Sequence, residues 1–290
     1  MEREDAPAPP VYSGASIAGF FDEYGEREWD RLDRTVADRV SLALHRRYLA
    51  RFIQPGDHVL EIGAGPGRFT IELARLGARI TVADISAAQI ELNRGKVKAA
   101  GLDEAVVERA VVDIVDLGRY GNAAFDATVS YGGPLSYVLE RADTAVAELV
   151  RVTKPEGHLL TSVMSLVGAA RAHLAGVLGL VERFGLDAVD REMRTGALAA
   201  QTTNGQPMKL YRWSELESLL RRHRCQIVAV SASNFISVGN EEVLSRALGD
   251  ERLAAQFMEW ETRACGEPGA LDGGTHIIAV ARTATPTTSR

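Results

Sequence analysis

Cysteine is nearly absent: the 290 residues hold two, Cys225 and Cys265, with no CxxC pair and no Cys/His cluster, which excludes a disulfide framework and a zinc site. Long hydrophobic runs are lacking too. The most apolar stretch, from Leu174 to Leu186, is broken by Glu182 and Arg183, well short of the ~18 continuous apolar residues of a membrane span. Basic excess is also missing. Thirty-three Lys and Arg stand against 39 Asp and Glu, a net charge of -6, whereas nucleic-acid affinity rests on cations that neutralise phosphates. A small or uncharged partner is expected, neither DNA nor a membrane, with self-association into a homo-oligomer left open. The start, MEREDAPAPP, has neither the basic opening nor the apolar run of an export signal, so a cytoplasmic protein is expected.

What is there is ordinary globular composition, 46% hydrophobic and 25% charged, arranged as alternating strand and helix patterns. Ile17, Phe20, Phe21 and Tyr24 recur at helical spacing, and a second helical pattern runs from about Thr35 to Phe52. Strands are expected at His58 to Ile62, Ile80 to Ala83, Ala110 to Val112, Ala127 to Ser130, His158 to Met164, Gln226 to Ser231 and His276 to Ala281. That alternation predicts a doubly wound α/β sheet. Between Ser165 and Pro207, Leu174, Val177, Leu178 and Val181 suggest an inserted helical cap, in which Gly176 and Gly179 would favour a kink. Residues 1 to 14 and 282 to 290, rich in Pro, Ala, Thr and charge, read as mobile tails.

The strongest signal is HVLEIGAGPGRF, with Glu61, Gly63, Gly65 and Gly67 between an apolar strand and a helix. Glycines there allow a sharp turn and close approach to a ligand. A dinucleotide-binding turn of the G-x-G-x-x-G/A type would place glycine or alanine where Arg68 stands, which weakens the reading as an NAD-dependent oxidoreductase. Glu61 just before the turn would repel a pyrophosphate and welcome a cationic amino-acid group, as in S-adenosylmethionine. Asp84, about 20 residues on at the end of the next strand, is placed to accept both hydroxyls of a ribose. Asp113 can accept from an adenine amino group while Ile114 packs on the ring.

Through EIGAGPG, VADIS, VVDIVDL, FDATVSYGGPLSYV and LVRVTKPEGHLL the chain resembles the class I S-adenosylmethionine-dependent methyltransferase superfamily, specifically from Asp57 to Met164 and more loosely from Tyr211 to Ala281. The resemblance implies a Rossmann-like seven-stranded sheet whose last strand is antiparallel. It implies a tail and lid helices over residues 1–56, a core over 57–165, a cap over 166–207, the rest of the sheet over 208–281 and a disordered tail over 282–290. Glu61, Gly63 and Gly65 would face the methionine part, Asp84 the ribose, and Asp113 with Ile114 the adenine. Ala64, Gly67, Ile85 and Ser130 complete the expected cofactor set.

The acceptor is left open among oxygen, nitrogen and carbon, with two alternatives: a protein that keeps the cofactor for a non-methylating reaction such as a cyclisation, or an RNA methyltransferase. Tyr131-Gly132-Gly133-Pro134 departs from the D/N-P-P-Y/F/W motif of enzymes that methylate exocyclic amines of DNA bases. Neither cysteine lies in that loop, as a cytosine-C5 enzyme would need, and Ser130 and Tyr131 supply no metal-binding carboxylate, so no metal is expected. The run from Arg221 to Arg224 reads as the cationic end of a helix rather than an RNA site. Candidates for taking a proton are Tyr24 and Glu28, at i, i+4 on one helix face, with His173 and His276; His276 is expected at the pocket edge with a pKa near 6.5. Trp29, Tyr131, Tyr137, Tyr211 and Trp213 are candidates for an aromatic pocket.

Overall fold

The computed structural model describes residues 10–203 and 205–285. The strands are β1 (His58–Ile62), β2 (Arg79–Asp84), β3 (Val106–Val111), β4 (Phe125–Ser130), β5 (Thr153–Met164), β6 (Ala197–Leu198), β7 (Met208–Lys209), β8 (Gln226–Ala232) and β9 (His276–Arg282). Seven of them form one sheet in the order β3-β2-β1-β4-β5-β9-β8, with β9 antiparallel to both neighbours. The strand order reverses between β1 and β4, which pair in parallel from Val59 opposite Ala127. A crevice therefore opens beyond the carboxyl ends of these two strands, where open α/β sheets take ligands.

Alternation along each strand sends side chains into two cores. Val59, Ile80, Val129 and Leu160 pack on one face, against Val40 and Leu44 of helix α3. Leu60, Ile62, Leu159 and Val163 pack on the other, against α7 and α11. The helices, in chain order, are α1 (Gly14–Tyr24), α2 (Arg27–Asp30), α3 (Val36–Phe52), α4 (Arg68–Arg75), α5 (Ala87–Ala99), α6 (Pro134–Tyr137), α7 (Ala142–Val152), α8 (Leu166–Ala172), α9 (Leu174–Phe184), α10 (Leu186–Thr195), α11 (Trp213–Arg222), α12 (Glu241–Ala247) and α13 (Glu251–Cys265). Thr35 and Asp38 close a capping box that starts α3. Both cysteines are buried and unpaired.

Three expectations are corrected. The segment after β5 is not one kinked helix but three, α8 to α10, followed by the β6–β7 ribbon. Its breaks fall at His173 and at Gly185, whose φ is +86°, while α9 runs on through Gly176 and Gly179. The apolar stripe also splits: Leu174 and Leu178 are exposed, whereas Val177 faces the cavity described below. Tyr12 and Ser13 are held where a mobile tail was expected, because the Tyr12 N–H donates to the Glu140 carboxylate at 3.1 Å and Ser13 caps α1. At the other end β9 continues to Arg282 and Thr283 is buried, its N–H bonded to the Gly157 carbonyl. Residues 1–9 and 286–290 of the expected tails lie outside the described residues. No helix among the described residues is long and apolar enough to cross a membrane.

Candidate functional site

The turn after β1 is built from glycines that side chains would block. Gly65 has φ +53°, and a Cβ on Gly63 would come within 2.3 Å of Pro134 Cγ, so the loops after β1 and β4 abut at the switch point. The Gly63 and Ala64 N–H groups both donate to the Ala83 carbonyl, which pins the turn to β2. Asp84 closes that strand and accepts from the Gly65 N–H at 2.8 Å and the Ser86 N–H at 2.9 Å. Its carboxyl lines the cavity, and burial pushes it up to about 6 against the pull of those two backbone donors.

Glu61 lies elsewhere than its sequence position suggested. Its carboxyl is 2% exposed beneath the glycine turn, accepts from the Thr70 hydroxyl at 2.6 Å, and does not line the cavity. The second oxygen has no partner among the described residues, and burial raises the group to about 8. Gly67 and Ser130 likewise stay off the cavity wall, while Gly63, Ala64, Gly65, Ile85 and Ile114 form part of it. Beyond β3, Asp113 accepts from the Val115 N–H at 3.0 Å and from the Tyr12 hydroxyl. Tyr12 carries no signal in the sequence, and its position over Asp113 is the main addition to the expected adenine side.

Helix α1 roofs this half. Asp22 accepts from the Ser86 hydroxyl and from the Ala88 N–H at the start of α5, and the Gln89 amide donates to the Phe21 and Gly25 carbonyls. Tyr24 and Glu28 both line the cavity. The Tyr24 ring stacks on Phe20 at 5.6 Å with the Arg27 guanidinium 4.7 Å from its centre, and Glu28 is gripped by Arg31, whose Nε and Nη2 donate at 2.6 to 2.9 Å.

One cavity of about 800 Å³ runs from these carboxylates to a chamber under the cap, where Leu166, Val177, Leu180, Val189, Met193 and Met208 form apolar walls. His276 and the exposed His173 also line it. The His276 ring lies 6.3 Å from that of His45, and burial beside Arg31 and His45 holds its pKa well below 6.5. This corrects the expectation of an unperturbed imidazole: His276 is neutral throughout the cellular pH range. His45, whose Nδ1 is 2.8 Å from the Ser41 carbonyl, is lowered to about 4.

Of the aromatic candidates, Tyr131 and Tyr137 line the cavity and Trp29, Tyr211 and Trp213 do not. Trp29 is covered by Arg68, the Tyr211 hydroxyl donates to the Leu135 carbonyl, and Trp213 packs against the second core. At the end of α11, Arg222 and His223 pair with Asp143 and Arg221 with Glu217. Among the described residues no group of three or more His, Cys, Asp or Glu is arranged to hold a metal ion.

Residues 59–157 match a family described as a methyltransferase domain. A demethylmenaquinone methyltransferase of Clavibacter sepedonicus is 32% identical over 163 residues, 55% of this chain and 61% of that protein. Residues 59–157 form a methyltransferase domain. The chain spans less than two thirds of the length of the first curated relatives it matches, between 45% and 65%. The crystal structure of the [4+2]-cyclase SpnF is similar with a TM-score of 0.61 at 18% identity, over 96% of this chain and 99% of that one. A Burkholderia thailandensis 1,6-didemethyltoxoflavin-N1-methyltransferase, solved with its 1,6-didemethyltoxoflavin and S-adenosylhomocysteine, gives a TM-score of 0.58 at 18% identity, over 97% and 94%. Both share the fold of this chain.

The donor set of the domain fits the superfamily's cofactor, S-adenosylmethionine. Asp84, with its two backbone donors fixed and its carboxyl open to the cavity, suits vicinal hydroxyls. Asp113 offers a carboxylate beside the apolar Ile114, the pairing an adenine edge and face require.

Proposed function

We propose that this chain is a methyltransferase that transfers the methyl group of S-adenosylmethionine directly to a small-molecule acceptor. The observation that carries it is the continuity of one cavity from Asp84 and Asp113 to the apolar chamber under the cap. In this reading Asp84 holds the ribose, Asp113 with Ile114 the adenine, and the backbone of Gly63, Ala64 and Gly65 the methionine part, while Glu61, Gly67 and Ser130 support the turn from behind. The relatives whose names carry a small acceptor, a demethylmenaquinone and a 1,6-didemethyltoxoflavin, favour an acceptor of that size.

Bound S-adenosylmethionine supplies a sulfonium methyl already activated for transfer, so the protein's task is to align the acceptor at roughly 3 to 3.5 Å and keep water out. Helix α1 and the cap do the second. For the proton an acceptor loses, Glu28 is engaged by Arg31 and Tyr24 is packed between Phe20 and Arg27, which leaves the two cavity-lining imidazoles, the exposed His173 and the buried, neutral His276, as the groups that can receive it. The test is turnover with S-adenosylmethionine across a panel of small acceptors, reading methylated product against S-adenosylhomocysteine released. Equimolar formation of both is expected. An acceptor converted without S-adenosylhomocysteine release would contradict direct transfer.

A further inference from the structure

Arg31 stands where the two halves of the cavity meet. A Cβ on Gly132, in the loop after β4, would lie 3.3 Å from Arg31 Nη2, so the guanidinium rests on the loop that closes the switch point. Its side chain lines the cavity and keeps 28% of its surface open. Glu28 occupies one edge of the fork through Nε and Nη2, and no group among the described residues accepts from Nη1. A guanidinium donates five N–H bonds in a fixed plane, and charge-assisted bonds to an oxyanion are about twice as strong as neutral ones.

Among the described residues, Glu28 is the one carboxylate bonded to Arg31, and the other groups that act on it electrostatically are the phenols of Tyr137 and Tyr24. His45, His276, Tyr131 and Tyr137 face the same region, and burial keeps all four uncharged. The other cavity-lining arginines are engaged away from the junction: Arg68 by the Trp29 carbonyl and ring, Arg34 by the Arg27 carbonyl. In the chamber Glu192 is committed to the Ala199 N–H and the Thr202 hydroxyl.

We infer that the open edge of Arg31 receives an ionised oxygen of the acceptor, so that the acceptors are apolar molecules bearing one acidic oxygen: phenols, enols or carboxylic acids. This deepens the methyltransferase reading and rests on it for the word acceptor, but the anion site stands on its own geometry. Arg31 is a docking group for that oxygen; whether the methyl goes to it or to a neighbouring atom follows from the acceptor's own shape.

The test is calorimetry of 2-naphthoate, 2-naphthol at alkaline pH and the neutral 2-naphthamide, with and without saturating S-adenosylhomocysteine. In the wild type the two anions are expected to bind at least about tenfold more tightly than the amide. Arg31→Gln should abolish that preference, Arg31→Lys should keep part of it, and Glu28→Gln, which removes the competing carboxylate, should enlarge it. A melting curve for each variant separates lost folding from lost binding, and Glu28→Gln carries the test should Arg31→Gln fail to fold. Naphthoate and naphthamide bound equally, or neither bound at millimolar concentration, would overturn the inference, as would an undiminished preference in Arg31→Gln. Anion preference kept while S-adenosylhomocysteine fails to bind would overturn the methyltransferase reading and leave the Arg31 site in place.

Discussion

The two halves of the cavity are built in opposite ways. On the cofactor side each polar group is anchored to backbone: Asp84 to the Gly65 and Ser86 N–H groups, Asp113 to Val115, and the turn itself to the Ala83 carbonyl. On the side proposed for the acceptor the walls are apolar side chains of short helices whose outer faces leave Leu174, Leu178 and Leu186 exposed. A ligand common to a whole superfamily can be held by strand ends that the sheet fixes. A variable acceptor needs walls that change without disturbing the sheet, and an insertion between β5 and α11 provides them.

That division is open to attack from either side. Asp84→Ala removes a carboxylate that organises the turn and would meet the ribose. An S-adenosylhomocysteine affinity loss of about 10- to 100-fold is expected by calorimetry, in the range of hydrogen bonds to charged groups. Retained affinity would mean that the ribose is held elsewhere. The reciprocal change is His276→Ala, expected to lower kcat about 100-fold while leaving S-adenosylhomocysteine affinity within about twofold. Normal turnover in that variant would remove His276 from the proton's path. Narrowing the chamber with Leu180→Trp should raise the acceptor KM about tenfold or more, with cofactor affinity again unchanged; an equal loss of both would show that the halves are not separable.

What the sequence made legible divides along the same line. The turn glycines, Asp84 and Asp113 sit at fixed offsets from strand ends, so their positions follow from where apolar runs stop. The side to which Glu61 points was not legible, because the turn that follows it determines whether a strand-end residue faces the ligand or Thr70 of α4. Tyr12 was missed for another reason: its partner Asp113 is about a hundred residues away and no local pattern links them; Arg31 has a local partner in Glu28, but its place against the loop at Gly132 is equally remote in sequence. The cap's three helices were read as one because periodicity marks apolar faces but not the breaks at His173 and Gly185. Helix α13 shows the same limit, burying Glu261 so that its carboxylate accepts from the N–H groups of Phe235, Ile236 and Ser237, an arrangement only the fold reveals.

A smaller effect sharpens the reading of Glu61. Its folded pKa of about 8 lies above its value in an unfolded chain, so the stability it contributes is complete at low pH and is lost as pH rises through about 8. Glu61→Gln keeps an acceptor for the Thr70 hydroxyl and removes the ionisation. Its melting temperature should match that of the wild type near pH 5 and exceed it by a few degrees near pH 9. Parallel pH profiles for the two proteins would show that Glu61 is already ionised in the folded state.

The claim beneath all of these is that the strand ends at Asp84 and Asp113 form a site for S-adenosylmethionine. Isothermal titration of the wild-type chain with S-adenosylmethionine and with S-adenosylhomocysteine tests it most directly. Saturable binding of both with one site per chain is expected, with affinity weakening as the pH falls below about 6 and Asp84 takes up a proton. No detectable heat from either ligand at millimolar concentration, in protein that melts cooperatively, would contradict it.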